Sequence, residues 1–461
     1  MAIYPNKPAL TLAALAALMT VPDYIPQYKD FRVIDWHNVE HIFDFKPKLI
    51  SVTPVEDEQQ RLRPNTDITK TDLHKLSDPA NTLRPFYEAL MATEQKRPGA
   101  VTNILHYGDS PTTADLITAD ARALFQKQFG DAGHGFTLIA KPWAWYEHRG
   151  VTLSSFGWKI DPATQSTFKD GLFGLGGVAF HGHNGDTAMV RSKDATHTVI
   201  EVSFLEQIDG GTFVLLGDGS PIGTIDTAGV ETKPGFEAFQ VPPGITEFSI
   251  GQIQGKVRLY GMRLGKQQPG VVYNSLGLNG AYISVLARMF NETHWAAQLR
   301  HAKPQLVVIN YGTNESVYQS FVDQSFENEL VRTVDLIRRA VPQSAILIMS
   351  PMDRGQKMAN GEISSVPALT KLVTMEQRVA AQTGCAFFNT FEAMGGPGTM
   401  GRWYQSEPRM VGADLIHPMP AGAKIVGNLL YAALLDGYYK FKAEHVKAKF
   451  AEPKAADNAK K

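Results

Sequence analysis

The stretch NILHYGDSPTTADLIT, residues 103–118, passes from an apolar run through Gly108, Asp109 and Ser110 into an amphipathic pattern. Its reading decides the fold. Val101 to Tyr107 is rich in apolar and β-forming residues and follows Pro98-Gly99, so it predicts a buried strand entered from a turn. Gly108 then ends the strand. Ser110 stands at a helix N-cap position, Pro111 at the favoured first helical position, and Leu116, Ile117, Ala121, Leu124 and Phe125 continue with helical spacing. A strand that ends at a serine opening a helix admits two readings: a nucleophile raised at a strand end, or a cap.

The rest of the chain narrows the choice. From Val271 onward, apolar strands (GVVYNS, QLVVINY, AILIMS, CAFFN) alternate with helical segments at 281–300, 325–340, 366–382 and 419–438. Such alternation predicts right-handed crossovers and a mostly parallel sheet covered on both faces, with ligands at the carboxyl ends of the strands. Between them, from about Val151, short apolar runs separated by Gly and Asp turns predict an antiparallel β-sandwich. The expected class is therefore α/β, a three-layer α/β/α fold with an inserted all-β sandwich module. The expected division is an extension at 1–72, a first part of the α/β domain at 73–150, the module at 151–265, a second part of the α/β domain at 266–440 and a basic tail at 441–461.

Three further strand ends carry polar groups. The loop NSLGLNGA offers Gly277 and Gly280 for close backbone approach, YGTNES presents Asn314, and GADLIHPMPAG sets Asp414 three residues before His417. That last spacing lets a carboxylate hold one imidazole nitrogen while the other faces a nucleophile. Taken singly, each is explained by a turn, a loop or a helix cap; taken together they fall at the ends of strands of one sheet.

As a set, Gly108-Asp109-Ser110, Gly280, Gly312-x-Asn314 and Asp414-x-x-His417 resemble the four blocks of the SGNH (GDSL-type) hydrolases. The resemblance implies a catalytic triad of Ser110, Asp414 and His417, with an oxyanion hole from the Ser110 and Gly280 N–H groups and the Asn314 amide. It implies no metal and no other cofactor. Two departures stand out: Glu315 follows Asn314 where Asp is usual, which bears on the loop's supporting contacts, and Pro111-Thr112-Thr113 opens the helix where a further glycine is common. The β-rich insert and the loop Gly277 to Ala281 are also similar to bacterial peptidoglycan O-acetylesterases. That likeness implies a serine O-acetylesterase acting on an acetylated polysaccharide, peptidoglycan first. The competing readings are another carboxyl esterase or lipase and a non-catalytic polysaccharide-binding protein. No long apolar lid segment speaks for a lipase.

Composition bounds the rest. In 461 residues, 45 Lys and Arg oppose 46 Asp and Glu, which leaves no field to steer nucleic acid. Cys385 is the single cysteine, which excludes an intramolecular disulfide and a cysteine-based zinc site. The run PALTLAALAALMTV has the length of a signal-peptide core or of a buried helix, and predicts export to the periplasm or envelope, with membrane association only through this segment. Asp353 and Arg354, after AILIMSPM, are candidate substrate contacts or a solvated turn. Trp143 and Trp145 are candidate sugar contacts or core. His181 and His183 lack the further ligands that a metal needs.

Overall fold

The computed structural model describes residues 75–451. The apolar run expected to serve as a signal core, with the rest of the 1–72 extension, lies outside them, as does the end of the basic tail.

Six strands form the central sheet: β1 (Leu76–Ser77), β2 (Val101–Gly108), β3 (Gly270–Gly277), β4 (Leu306–Asn310), β5 (Ala345–Met349) and β6 (Ala386–Phe388). Their spatial order is β1-β6-β5-β4-β2-β3, and every neighbouring pair is parallel except β1 with β6. Seven helices matter below: α1 (Arg84–Glu94), α2 (Ser110–Thr113), α3 (Leu116–Phe129), α4 (Glu292–Ala302), α5 (Phe326–Ala340), α6 (Ala368–Thr383) and α7 (Pro420–Ala451). Side chains alternate across a strand, so the continuous apolar runs feed two cores. Ile104, Leu306, Val308 and Leu347 pack with Phe86 of α1, Phe125 of α3 and Leu430 of α7. Leu105, Val307, Ile309 and Ile348 pack with Trp295 of α4, Ile337 of α5 and Leu372 of α6. The result is a three-layer α/β/α domain.

The insert consists of two antiparallel sheets. One has the order Ser220–Asp226, Thr212–Gly217, Glu247–Gln254, Thr187–Ser192, Val151–Phe156; the other runs Lys233–Gln240, Val199–Glu206, Val257–Gly265, Val178–Gly182, Lys159–Pro162. Phe204 and Phe213 meet edge to face between them, with ring centroids 6.4 Å apart. Gly135–Thr137 also pairs with Val257–Gly265, so the module draws a strand from before residue 151. Phe136, Met262 and Leu264 of the module belong to the same buried cluster as Leu105 and Tyr107 of β2. The sandwich thus shares a core with the α/β domain.

Three helices differ from expectation. The helix expected to continue from Pro111 through Phe125 breaks at Asp115, whose φ of 50° lies in the left-handed region. Its buried carboxylate pays for the break by accepting from Thr118 Oγ1 (2.6 Å) and Arg149 N (2.9 Å) and pairing with Arg122. The expected 281–300 helix is a π-type turn at Val285–Met289 followed by α4, which starts afresh because the Asn291 side chain accepts from His294 N at 3.0 Å. The last helix runs on to Ala451, into the segment expected as tail.

Candidate active site

Gly108 of β2 lies level with Gly277 of β3 and Asn310 of β4, so the loops that follow these three strands start from one edge. A Cβ at Gly108 would sit 2.3 Å from Thr112 Oγ1, and one at Gly277 would sit 2.0 Å from Thr113 N. Glycine at both positions lets α2 fold down across the strand ends. Ser275 Oγ then donates to Thr112 O (2.8 Å) and anchors α2 to β3.

Ser110 does not cap this helix. The cap position belongs to Asp109, no side-chain cap bond forms, and Ser110 Oγ instead lies 2.8 Å from His417 Nε2. His417 Nδ1 lies 2.6 Å from Asp414 Oδ2. The Asp-x-x-His segment is a tight turn before α7: Asp414 Oδ1 accepts from the backbone N–H of Ile416 (3.0 Å) and His417 (3.1 Å). Partial burial pushes the Asp414 carboxyl up, but the hydrogen bonds from the His417 ring and those two backbone groups outweigh it and hold it below the ordinary value. The structure therefore brings together the three side chains expected to act together, with Ser110 at 8% exposure beneath a more open His–Asp pair.

The loops that carry Gly280 and Asn314 meet one another. Gly280 has φ 66° and open space around it, and Asn314 Nδ2 donates to Ala281 O at 3.0 Å, which ties the loop after β4 to the glycine loop after β3. Glu315, the departure from the usual Asp, supplies the loop's support. Its buried oxygens accept from Ile283 N (2.7 Å) and Gly312 N (3.0 Å), and burial pushes its carboxyl up to about 8 despite these donors. Sequence reading left Glu315 without a role because Ile283 lies on another loop.

Asp109, next to Ser110, is buried; burial pushes its carboxyl up to about 6, against the pull of the Thr313 side chain and the nearby His417 and Arg354. Arg354 is half-buried and donates to Thr313 O at 2.7 Å, so of the two candidates after β5 it is the one near the strand-end loops. Asp353 corrects the expectation of a substrate contact: it is 1% exposed and its Oδ2 accepts from Met400 N at 2.9 Å, turned into the interior. Tyr282 and Tyr318, which sequence reading missed, bring their rings within 6.1 Å of one another beside Ala281. Their signal was adjacency to the glycine and Asn314 loops.

Trp143 packs partly buried against the shared core, and Trp145 is exposed on the same segment, which touches α2 through Glu147 N and Thr113 O. His181 stacks on Phe168 at 3.9 Å, and among the described residues no group of three His, Cys, Asp or Glu side chains gathers as metal ligands would.

Residues 245–425 match the GDSL-like lipase/acylhydrolase family. A solved peptidoglycan O-acetylesterase has the same fold, with a TM-score of 0.68 at 22% identity over 79% of this chain and 99% of that one. A family two carbohydrate esterase from Clostridium thermocellum, solved with cellohexaose, matches at TM-score 0.26 and 13% identity over 61% of this chain and 100% of that one. A carbohydrate-binding module from Clostridium stercorarium, solved with cellobiose, matches at TM-score 0.19 and 16% identity over 24% of this chain and 86% of that one. No curated protein matches the chain in sequence. Residues 245–425 thus form a region that matches the GDSL-like lipase/acylhydrolase family, and on that match the chain is an ester hydrolase.

Proposed function

We propose that this ester hydrolase is a serine esterase that removes O-acetyl groups from a bacterial polysaccharide, with peptidoglycan as the polymer, through an acyl-serine intermediate. The observation that carries the reading is the line from Ser110 Oγ through the His417 ring to Asp414, at 2.8 Å and 2.6 Å. In the first half-reaction, His417 Nε2 takes the hydroxyl proton as Ser110 Oγ attacks the acetyl carbonyl, and Asp414 steadies the imidazolium that forms. The negative charge on the carbonyl oxygen falls to the N–H groups of Ser110 and Gly280 and the second Asn314 N–H, the first being used on Ala281. His417 returns the proton to the departing sugar hydroxyl. Water, deprotonated by the same ring, then attacks the acetyl-serine and releases acetate.

Peptidoglycan is preferred over other acetylated polymers because this chain shares its fold, over 79% of its length and 99% of the other's, with a solved peptidoglycan O-acetylesterase. The sandwich stands as a second recognition surface for a long glycan. The same reading assigns the protein to the periplasm or cell envelope, in keeping with the apolar run at residues 8–21.

The test is acetate release from O-acetylated peptidoglycan, acetylated xylan and p-nitrophenyl acetate. The highest polymer kcat/KM on peptidoglycan is expected. A higher value on xylan reassigns the polymer, and hydrolysis of p-nitrophenyl acetate with neither polymer touched contradicts the polysaccharide reading.

A further inference from the structure

A cavity of about 400 Å3 opens between the module and the α/β domain, and none of Ser110, Asp414 and His417 lines it. Its floor comes from β2 and β3, from Val101 to Leu105 and from Val272 to Asn274, and its walls from α4 and the Val257–Gly265 strand. From Leu105 and Asn274, the lining residues nearest the strand ends, to Gly108 and Gly277 the strands climb three residues, about 10 Å at ~3.3 Å per residue, so the cavity opens below the edge that carries Ser110.

We propose that this cavity is a second ligand site, which takes a small amphipathic carboxylate bearing a hydroxyl or amide N–H.

The inner end asks for a hydrogen-bond donor. Gln298 of α4 lines the cavity at 2% exposure; its Nε2 donates to Phe173 O at 2.7 Å, which fixes the orientation of the amide, and its Oε1 has no partner among the described residues. A buried acceptor left unsatisfied costs about 1–3 kcal/mol, and a ligand hydroxyl or N–H removes that cost. The other amides cannot relieve it. Asn274 Nδ2 is spent on Asn103 Oδ1 and Ile104 O, both at 2.7 Å, and Asn103 Nδ2 on Ala302 O at 2.6 Å.

The middle is apolar. Leu105, Phe136, Leu175 and Val272 line it, a surface that rewards a hydrocarbon or aromatic body and gives water few partners.

The mouth asks for an anion. Glu201 is the single acid in the wall, and both its oxygens are engaged, by Arg263 Nε at 3.3 Å and His301 Nε2 at 3.1 Å. The His301 ring is held flat against Phe236, with centroids 3.6 Å apart. One carboxylate thus faces the guanidinium of Arg263 and the ammonium of Lys303, which leaves an excess of positive charge at the rim. A packing gap between two domains is expected to be apolar; here an unpaired acceptor lies inside and one positive charge beyond the Glu201–Arg263 pair lies at the rim.

N-acetyl-L-phenylalanine has the required parts, and its neutral amide, N-acetyl-L-phenylalaninamide, lacks only the charge. Calorimetric titration of the full chain is expected to detect binding of the acid. Gln298→Leu, which removes the acceptor and keeps the bulk, is expected to weaken it about tenfold, and the amide to bind weaker than the acid by a similar factor. Hydrolysis of p-nitrophenyl acetate should be unchanged in the variant, which separates this site from the Ser110 centre. Absence of binding overturns the proposal, as does equal affinity for Gln298→Leu. A Gln298→Leu protein with a raised Tm and no binding identifies a packing gap and also overturns it. Should that variant not fold, Arg263→Met carries the test, and undiminished affinity for the acid refutes the anion-selective mouth.

Discussion

Replacing Glu315 with glutamine separates the proton this side chain holds from the contacts it makes. Glu315 is fully buried between the loops that carry Gly280 and Asn314, and both its oxygens accept backbone N–H groups. Burial raises its carboxyl from the ordinary 4.5 to about 8, so the folded chain keeps the proton near neutrality while the unfolded chain has lost it. A carboxyl raised on folding favours the native state at low pH; that advantage falls away as pH climbs from the unfolded value to the folded one, and levels off above it. At ~1.4 kcal/mol per pH unit, the change across this window is on the order of 5 kcal/mol. Glutamine has the shape of the protonated acid and no proton to release. It can accept from only one of the two N–H groups, a loss of ~1 kcal/mol. Urea unfolding of both proteins at about pH 5, 7 and 9 gives the comparison, in which other titrating groups cancel. The variant should be slightly the less stable at the lowest pH and clearly the more stable at the highest. A difference independent of pH would show that Glu315 is ionised in the fold and refute the reasoning.

Asn314→Ala should lower kcat about 10²- to 10³-fold with little change in KM, because its amide faces charge that exists in the transition state; a loss confined to KM, measured by steady-state kinetics, would make it a substrate contact instead. Gly277→Ala places a Cβ 2.0 Å from Thr113 N, so α2 must move. Thermal unfolding should show a loss of about 1–3 kcal/mol, with turnover reduced because Ser110 rides on α2. Deleting residues 151–265 uncovers a core that includes Leu105, Tyr107 and Phe136, so Tm and activity on both p-nitrophenyl acetate and polymer should fall together; an unchanged Tm would contradict the shared core.

What was legible in the sequence was local. Gly108-Asp109-Ser110 and Asp414-x-x-His417 are short segments whose geometry is set within a few residues, and the continuous apolar runs of β2 to β5 announce strands buried on both faces. The break at Asp115 was not legible, because the groups that satisfy its carboxylate include Arg149, 34 residues on. Asp353 and Arg354 are adjacent in sequence, yet one turns inward to Met400 N and the other to Thr313 O, and both partners come from segments about 40 residues away along the chain. Gly135–Thr137 is three residues long and carries no periodicity of its own; pairing with Val257–Gly265 makes it a strand. The cavity around Gln298 is assembled from segments more than 100 residues apart in the chain, such as Asn103 and Arg263, and no local pattern marks it.

The central claim is that Ser110 performs the chemistry, and it is tested most directly by the rate of acetate release from O-acetylated peptidoglycan by Ser110→Ala against the wild type. Since Ser110 makes no capping bond, the substitution should leave the unfolding transition nearly unchanged. The account predicts a fall in turnover of about 10⁴-fold or more in this folded protein. Turnover by Ser110→Ala within a few-fold of wild type would contradict it.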